Sequence, residues 1–230
     1  MDPHLLAERV ARVRDGIERA RARAGRPDPV TLVAVTKTHP AETVRAAIAA
    51  GLADVGENRV QEMDDKVADI GRGAVRWHLI GHLQRNKAAR AVALADLIHS
   101  LDSLRLAQEL SREAVRAGVE VNALVQVNTS GEESKFGLAA HEALEAAAAM
   151  AALPGLRLRG MMTMAPFTGD DGVVRRTFAA ARLLCEDAAR QIPGFGRELS
   201  MGMSNDYEAA VEEGSTLVRV GSTLFGDRGT

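Results

Sequence analysis

The chain holds a single cysteine, Cys185, among its 230 residues. That excludes an internal disulfide and leaves no cysteine cluster to bind a metal, so the cytoplasm is the expected compartment. Cys185 lies in VVRRTFAAARLLCEDAARQ, where helical period puts Val174, Phe178, Ala181 and Cys185 along one side, the place of a buried filler. No apolar run approaches the roughly 18 residues of a membrane span, and the opening MDPHLLAERVARVRDG lacks the continuous apolar core of an export signal. A protein that is neither exported nor membrane-spanning is expected. Charge of one sign is lacking too. Lys and Arg number 29 against 31 Asp and Glu, a formal net charge of -2 spread along the chain. There is no basic stripe to neutralise a nucleic-acid backbone, so nucleic acid is not an expected partner.

Several motifs are also missing. GEESKFG, residues 131–137, has no GK[ST] ending and is not a nucleotide P-loop. HEALE, from His141, lacks the second His of a zinc-protease helix. His78 and His82, four apart on an expected strand, would stand roughly 13 Å from each other, too far to share one ion. No metal is expected.

What is present is alternation. Short apolar runs rich in β-branched residues alternate with longer Ala, Arg and Glu segments of helical period, the pattern of βα units around a parallel sheet. Expected strands are VTLVAVTK from Val30, ADVGEN from Ala53, RWHLIG from Arg76, DLIHSLD from Asp96, NALVQVNT from Asn122, LRLRGMMTM from Leu156, RELSMG from Arg197 and TLVRVG from Thr216. Expected helices span Ala41 to Ala50, Val60 to Ile70, Gln84 to Ala95, Ser103 to Ala117, His141 to Leu153, Val173 to Gln191 and Asp206 to Glu213. Gly51, Gly118, Gly155 and Gly214 stand where helices should stop. An additional N-terminal helix, with Leu6, Val10, Val13 and Ile17 on one face, should pack outside the sheet. An apolar share of 46% can fill one large core. The expected architecture is α/β: a single (β/α)8 TIM barrel domain over residues 1–230 with that extra helix. The alternative is an open doubly wound sheet; about eight strands, and no GxGxxG turn after the first, favour closure.

Active sites of such barrels lie where the strands end. Polar residues gather there: Lys37, Glu57, Asn58, His78, Asp102, Asn128, Ser204 and Arg219. Lys37 is the odd one, because a long cation closing the apolar run LVAVT is partly desolvated unless it is used, although it could also snorkel to the surface. The last two strands are followed by GMSNDYEAA and VGSTLFG, each placing Gly and hydroxyl residues before a helical pattern, where N–H groups can face an anion. Ser204, Ser222 and Thr223 would add hydroxyl donors; each could instead be an N-cap. In a closed barrel the first and last strands are neighbours, so a lysine would face a phosphate cup. That suits an aldehyde bearing a phosphate.

At this point LVAVTKTHP, VGENRVQE, WHLIGHLQRNK, HSLDS, VNTSGEESKFGL, LRLRGMMTMAP and LSMGMSNDYEAAVEEGSTLVRVGSTLFG, in order from Val30 to Asp227, resemble the YggS/PROSC family of pyridoxal phosphate homeostasis proteins. The resemblance implies a fold-type III barrel similar to the N-terminal domain of alanine racemase. It implies pyridoxal 5'-phosphate bound covalently as a Schiff base to Lys37. It further implies that Ser204, Gly221, Ser222 and Thr223 form the phosphate cup, that Arg219 lies near the pyridine ring and that Asn58 is a polar neighbour of the cofactor. The chain departs from the family pattern at His82 and Arg85, in the loop after the third strand.

Arg219 is a donor only, and unlike a carboxylate it does not stabilise a charged pyridinium, so carbanion chemistry is poorly supported. A structural ion pair of Arg219 with Glu57 or Asp227 is the bland alternative. Racemisation needs acid and base groups on opposite faces of the substrate carbon, and Lys37 serves one face. The only tyrosine, Tyr207, follows the phosphate loop and is expected to pack or cap locally. A carrier or regulator of pyridoxal phosphate is therefore expected, monomeric, with apo-enzymes that use the cofactor as candidate partners. A racemase-like amino-acid enzyme of low activity is the alternative. Lys135 is a candidate second amine for transient cofactor exchange, against the plainer reading of a solvated loop lysine.

Overall fold

The computed structural model describes residues 2–130 and 137–226. Lys135 and Asp227 lie outside them. Eight parallel strands close into a barrel: β1 (Thr31–Val35), β2 (Asp54–Glu57), β3 (Arg76–Leu79), β4 (Leu97–Leu101), β5 (Val121–Asn128), β7 (Leu156–Met162), β8 (Glu198–Ser200) and β9 (Leu217–Val220). The pairing of β4 with β5 on one side and of β1 with β9 on the other leaves no open edge in the ring. A two-residue strand, β6 (Leu138–Ala139), is appended to β5 and was not foreseen in the sequence. It carries too little periodicity to be read.

Each of the eight ring strands coincides with an expected one, trimmed at the ends except that β5 begins one residue earlier. The helices also coincide with expected ones: α2 (Ala41–Ala49), α3 (Val60–Ile70), α4 (Ala88–Leu94), α5 (Leu104–Ala117), α6 (Ala143–Ala151), α7 (Asp171–Gln191), which begins two residues early, and α8 (Tyr207–Glu212). Arg85–Lys87 forms a 3-10 turn before α4 rather than its first turn. A short helix, α9 (Ser222–Phe225), follows the last strand, where VGSTLFG placed Gly and hydroxyl residues before a helical pattern. Caps set several starts. Ser103 accepts from Leu106 N at 3.4 Å before α5, and Asp170 from Val173 N at 3.2 Å before α7. The four glycines expected to stop helices all have positive φ.

The N-terminal helix α1 (Pro3–Arg23) begins on Asp2, whose side chain accepts from His4 N, with Pro3 preset for the first turn. Its buried stripe, Leu6, Val10, Val13, Ile17 and Ala20, packs in one cluster with Leu32 and Ala34 of β1 and Val218 and Val220 of β9. The helix thus covers the outside of the seam where the barrel closes. The alternating residues of the same strands turn inward, where Val33 and Leu217 meet Leu97, Leu124 and Met162. Cys185 is buried on α7 as expected, and burial pushes its thiol up to about 12. No described helix is long and apolar enough to cross a membrane.

Because Leu6 is 1% exposed and packs against the seam, Leu6→Ala should cost roughly 2–4 kcal/mol. Urea denaturation followed by far-UV circular dichroism checks the size of the loss.

Candidate functional site

Strand β1 ends at Val35, and the chain turns at once: His39 N donates to Thr36 O at 3.0 Å, with Lys37 and Thr38 between. Thr38 has φ +64, the one positive value at a non-glycine among the described residues. A β-branched side chain is strained there and stays only because its surroundings over-determine it. One such constraint is the bond from Thr38 N to Glu62 Oε2 at 3.1 Å.

The residue before Lys37 is held even more firmly. Thr36 N donates to Gly56 O at 3.1 Å, and its hydroxyl donates to Glu57 Oε1 at 2.5 Å. Lys66 Nζ donates both to Thr36 O at 2.8 Å and to Glu57 Oε1 at 2.6 Å. Glu57 and Lys66 are both buried. Burial pushes the Glu57 carboxyl above its usual range, and the bonds from Lys66 and Thr36 offset only part of that. Glu57 therefore does not open onto the strand mouths, as its position at a strand end suggested. It faces α3, because it shares the outward side of β2 with Val55, and it braces the lysine turn from behind. It is also not the partner of Arg219.

A cavity of about 630 Å³ opens at the C-terminal ends of the strands, and Lys37, Asn58, Ser204, Arg219, Gly221 and Ser222 all line it. These are six of the seven residues expected to bind a cofactor. The seventh, Thr223, does not line the cavity but contributes through its backbone, donating from N to Ser204 Oγ at 3.4 Å. Gly221 N donates to the same oxygen at 3.3 Å, so the Ser204 hydroxyl stitches the loop after β8 to the loop after β9. Among the described residues no acceptor meets the backbone N–H of Ser204, Asn205 or Ser222. These groups border a cavity and present donors without acceptors, the arrangement an anion requires.

Glycine is needed at two points. Gly202 has φ +92, and a Cβ there would come within 2.5 Å of Ala210 Cβ. Its carbonyl accepts from Arg219 N at 2.9 Å, locking the loop to β9. At Gly81 a Cβ would overlap the Asn58 carbonyl oxygen at 2.3 Å, so the backbone carrying Asn58 can pass close to the β3 loop.

Arg219 is buried at 4% exposure and forms no ion pair among the described residues. It donates to Ser200 Oγ at 2.5 Å and to Thr163 O at 3.0 Å. Burial pushes its guanidinium down to about 10, opposed by the Asp206 carboxylate, so it remains charged at neutral pH. The ion pair with Glu57 weighed for it is absent; Glu57 is taken up by Lys66.

Other expectations need correction. His78 does not reach the strand mouths but lines a cavity of about 420 Å³ at the opposite end of the barrel, because its ring turns back to Asp54, the first residue of β2. Asn128 accepts from Ser130 N and Oγ and is not among the residues lining the upper cavity. Asp102 reaches that rim only through His82, whose Nδ1 lies 3.0 Å from Asp102 Oδ2. His82 itself stands in the loop, not on a strand. Tyr207, by contrast, packs as expected: its ring lies against α1 at Gly16, and it borders a different groove, beside Phe167 and Glu212.

Reading the sequence also missed residues. His39, Gln126, Met164 and Met203 line the cavity beside His82. His39 stacks at a tilt on Phe225, ring centres 5.7 Å apart. Its place two residues after Lys37 was the available signal.

Residues 9–229 match the family model described as the alanine racemase N-terminal domain. The pyridoxal phosphate homeostasis protein of Pseudomonas aeruginosa is 42% identical over 224 residues, covering 97% of this chain and 96% of that one. Its counterpart in Aquifex aeolicus is 38% identical, covering 96% and 97%. Among solved structures, PipY of Synechococcus elongatus with pyridoxal phosphate bound superposes with a TM-score of 0.85 at 38% identity, covering 96% of this chain and all of that one. Alanine racemase of Clostridium difficile superposes with a TM-score of 0.74 at 14% identity, and this chain spans 58% of it; that likeness shows the fold alone.

Replacing Lys66 by Met would leave Glu57 buried and unpaired. A carboxyl whose folded pKa is raised loses stability as pH climbs from its unfolded value through its folded one. Lys66→Met should therefore cost about 3–5 kcal/mol at pH 8 and less near pH 5, where Glu57 takes up a proton. Thermal melts across that range check the trend.

Proposed function

The chain belongs to the pyridoxal phosphate homeostasis protein family, built on the alanine racemase N-terminal domain, and from that premise we propose that it binds pyridoxal 5'-phosphate at the barrel mouth, holds it as a Schiff base on Lys37 and serves as a carrier or regulator of the cofactor. The observation that carries this reading is the convergence in one cavity of Lys37, the acceptor-less N–H groups of Ser204, Asn205 and Ser222, and the buried Arg219. The relatives' names, and the PipY structure that holds pyridoxal phosphate, support it.

Each residue has a part in the proposal. Lys37 supplies the amine. Ser204, Gly221, Ser222 and Thr223 form a phosphate cup whose donors come mainly from the backbone. Arg219 directs N–H donors toward the pyridine ring, and Asn58 is a polar neighbour on the opposite side of the cavity. When bound, the cofactor supplies an aldehyde and an electron-withdrawing ring. The protein's own groups then grip the phosphate, orient the ring and shield the lysine. The domain is proposed to comprise the whole of residues 1–230, monomeric and cytoplasmic, with apo-enzymes as its recipients.

Turnover is weakly supported by the same geometry. Arg219 stays protonated and can only donate, so it disfavours a charged ring nitrogen. Tyr207, the one tyrosine, borders another groove. Yet His39 and His82 both line the cavity, and an imidazole can give or take a proton, which keeps a slow racemase-like activity as the second reading.

The purified protein should be yellow, with a visible Schiff-base band that Lys37→Ala abolishes. After borohydride reduction, peptide mapping should find the label on Lys37. Colourless protein that takes up no added cofactor would defeat the reading. Solvent deuterium entering the α-position of amino acids would favour the enzyme instead.

A further inference from the structure

The interior of the barrel holds a line of polar side chains that starts at the cavity and runs on below it, away from the proposed ligand. From Arg219 on β9 it passes to Ser200 on β8, crosses the barrel to His99 on β4, and continues through His78 on β3 to Asp54 on β2. All five are buried. Successive contacts are 2.5, 2.8, 2.9 and 2.9 Å.

Donor chemistry orders the line from one end to the other. A guanidinium cannot accept, so Ser200 Oγ must accept from Arg219. The one hydroxyl proton of Ser200 then has His99 Nδ1 as its acceptor. That nitrogen carries no proton, so the proton of His99 lies on Nε2 and is donated to His78 Nδ1. By the same step His78 is protonated on Nε2 and donates to Asp54 Oδ1, a carboxylate that only accepts. Both imidazoles are thereby neutral and in the same tautomer. A proton added to His99 Nδ1 would strand the Ser200 hydroxyl and set two cations side by side in the interior.

We propose that Ser200, His99, His78 and Asp54 act as positioning residues for Arg219, forming a one-way hydrogen-bond chain that ties its charge to the carboxylate at the opposite mouth of the barrel. The proposal rests on the cofactor reading above in what Arg219 is positioned for. It explains how a guanidinium without an ion pair among the described residues is tolerated inside a barrel: its charge polarises a row of aligned dipoles that ends on an anion. Burial, with the Arg219 charge adding to it, holds His99 well below the usual histidine range, in keeping with a neutral ring. At the far end burial works to raise Asp54, but bonds from His78 and Arg76 outweigh it and hold the carboxyl below its usual range. Arg76 NH2 lies 2.6 Å from Asp54 Oδ2. The chain thus joins two cavities on opposite faces, the upper one through Arg219 and the lower one through His78 and Asp54.

Two measurements test this. In the cofactor-free protein, 15N NMR of the imidazoles should show His78 and His99 neutral and protonated on Nε2 at pH 7, with slowly exchanging Arg219 guanidinium N–H signals that broaden in His99→Leu and in Asp54→Asn. In the loaded protein, both variants should move the visible band and weaken cofactor binding by roughly 10-fold, the scale of one hydrogen bond to a charged group. His78→Gln, whose amide can accept from His99 and donate to Asp54, should restore the wild-type values. Should His99→Leu fail to fold, Asp54→Asn alone decides, since it keeps the shape and the acceptor and removes the charge. Either imidazole protonated on Nδ1, or wild-type spectra and affinity in Asp54→Asn, would overturn the chain. Failure of the wild type to bind cofactor would overturn the proposed function, while the NMR result still decides whether the chain exists and holds Arg219.

Discussion

The pairing of the first strand with the last is the constraint on which the rest depends. Registering Thr31 with Leu217, Leu32 with Val218, Val33 with Arg219 and Ala34 with Val220 brings the two ends of the chain together. Without that seam, Lys37 and the loops after β8 and β9 would belong to remote parts of the chain. Closure also fixes which way each side chain faces, because strand side chains alternate strictly. Arg219 points inward for the same reason that Val218 and Val220 point out to α1. A slip of one residue at the seam would bury the wrong face on both sides.

Two buried polar systems, on opposite sides of the strands, hang from that frame. Outside β2, Glu57, Lys66 and Thr36 brace the turn that carries Lys37. Inside the barrel, the line from Arg219 to Asp54 fills space that an apolar layer would otherwise take. Buried charge is costly unless it is paired or hydrogen-bonded, and each system meets that demand differently. One uses direct ion pairing; the other spreads the compensation over neutral groups.

Much of this was legible in the chain of letters. The eight strands emerge from short β-branched runs, and the closed ring follows from their number and from the absence of a dinucleotide turn. Lys37, Asn58, Ser204, Arg219, Gly221 and Ser222 were all placed at one mouth, and the cavity gathers them. What escaped was whatever depends on side-chain direction within a strand. Glu57 and His78 both look, by position, like mouth residues; one faces outward to α3 and the other enters the interior near the floor. Apolar and polar residues share both faces of these buried strands, so alternation alone does not separate inside from outside. The pairing of His78 with His99 spans 21 residues of sequence and leaves no local signature. The strained turn at Thr38 was equally silent, since nothing in Lys-Thr-His announces a left-handed backbone.

The Ser204 hydroxyl, finally, has a consequence for selectivity. Its oxygen already accepts from Gly221 N and Thr223 N, so the hydroxyl hydrogen is the part left to turn toward the cavity. Together with the backbone hydrogens of Ser204, Asn205 and Ser222, that rim is a surface of hydrogens alone. A molecule seated against it must bring lone pairs in quantity. A vitamer ending in a plain hydroxymethyl group would satisfy one or two of them and leave the others dry and unmatched. On the proposed reading, the rim would discriminate by counting oxygens, independently of whether an aldehyde is present to meet the lysine.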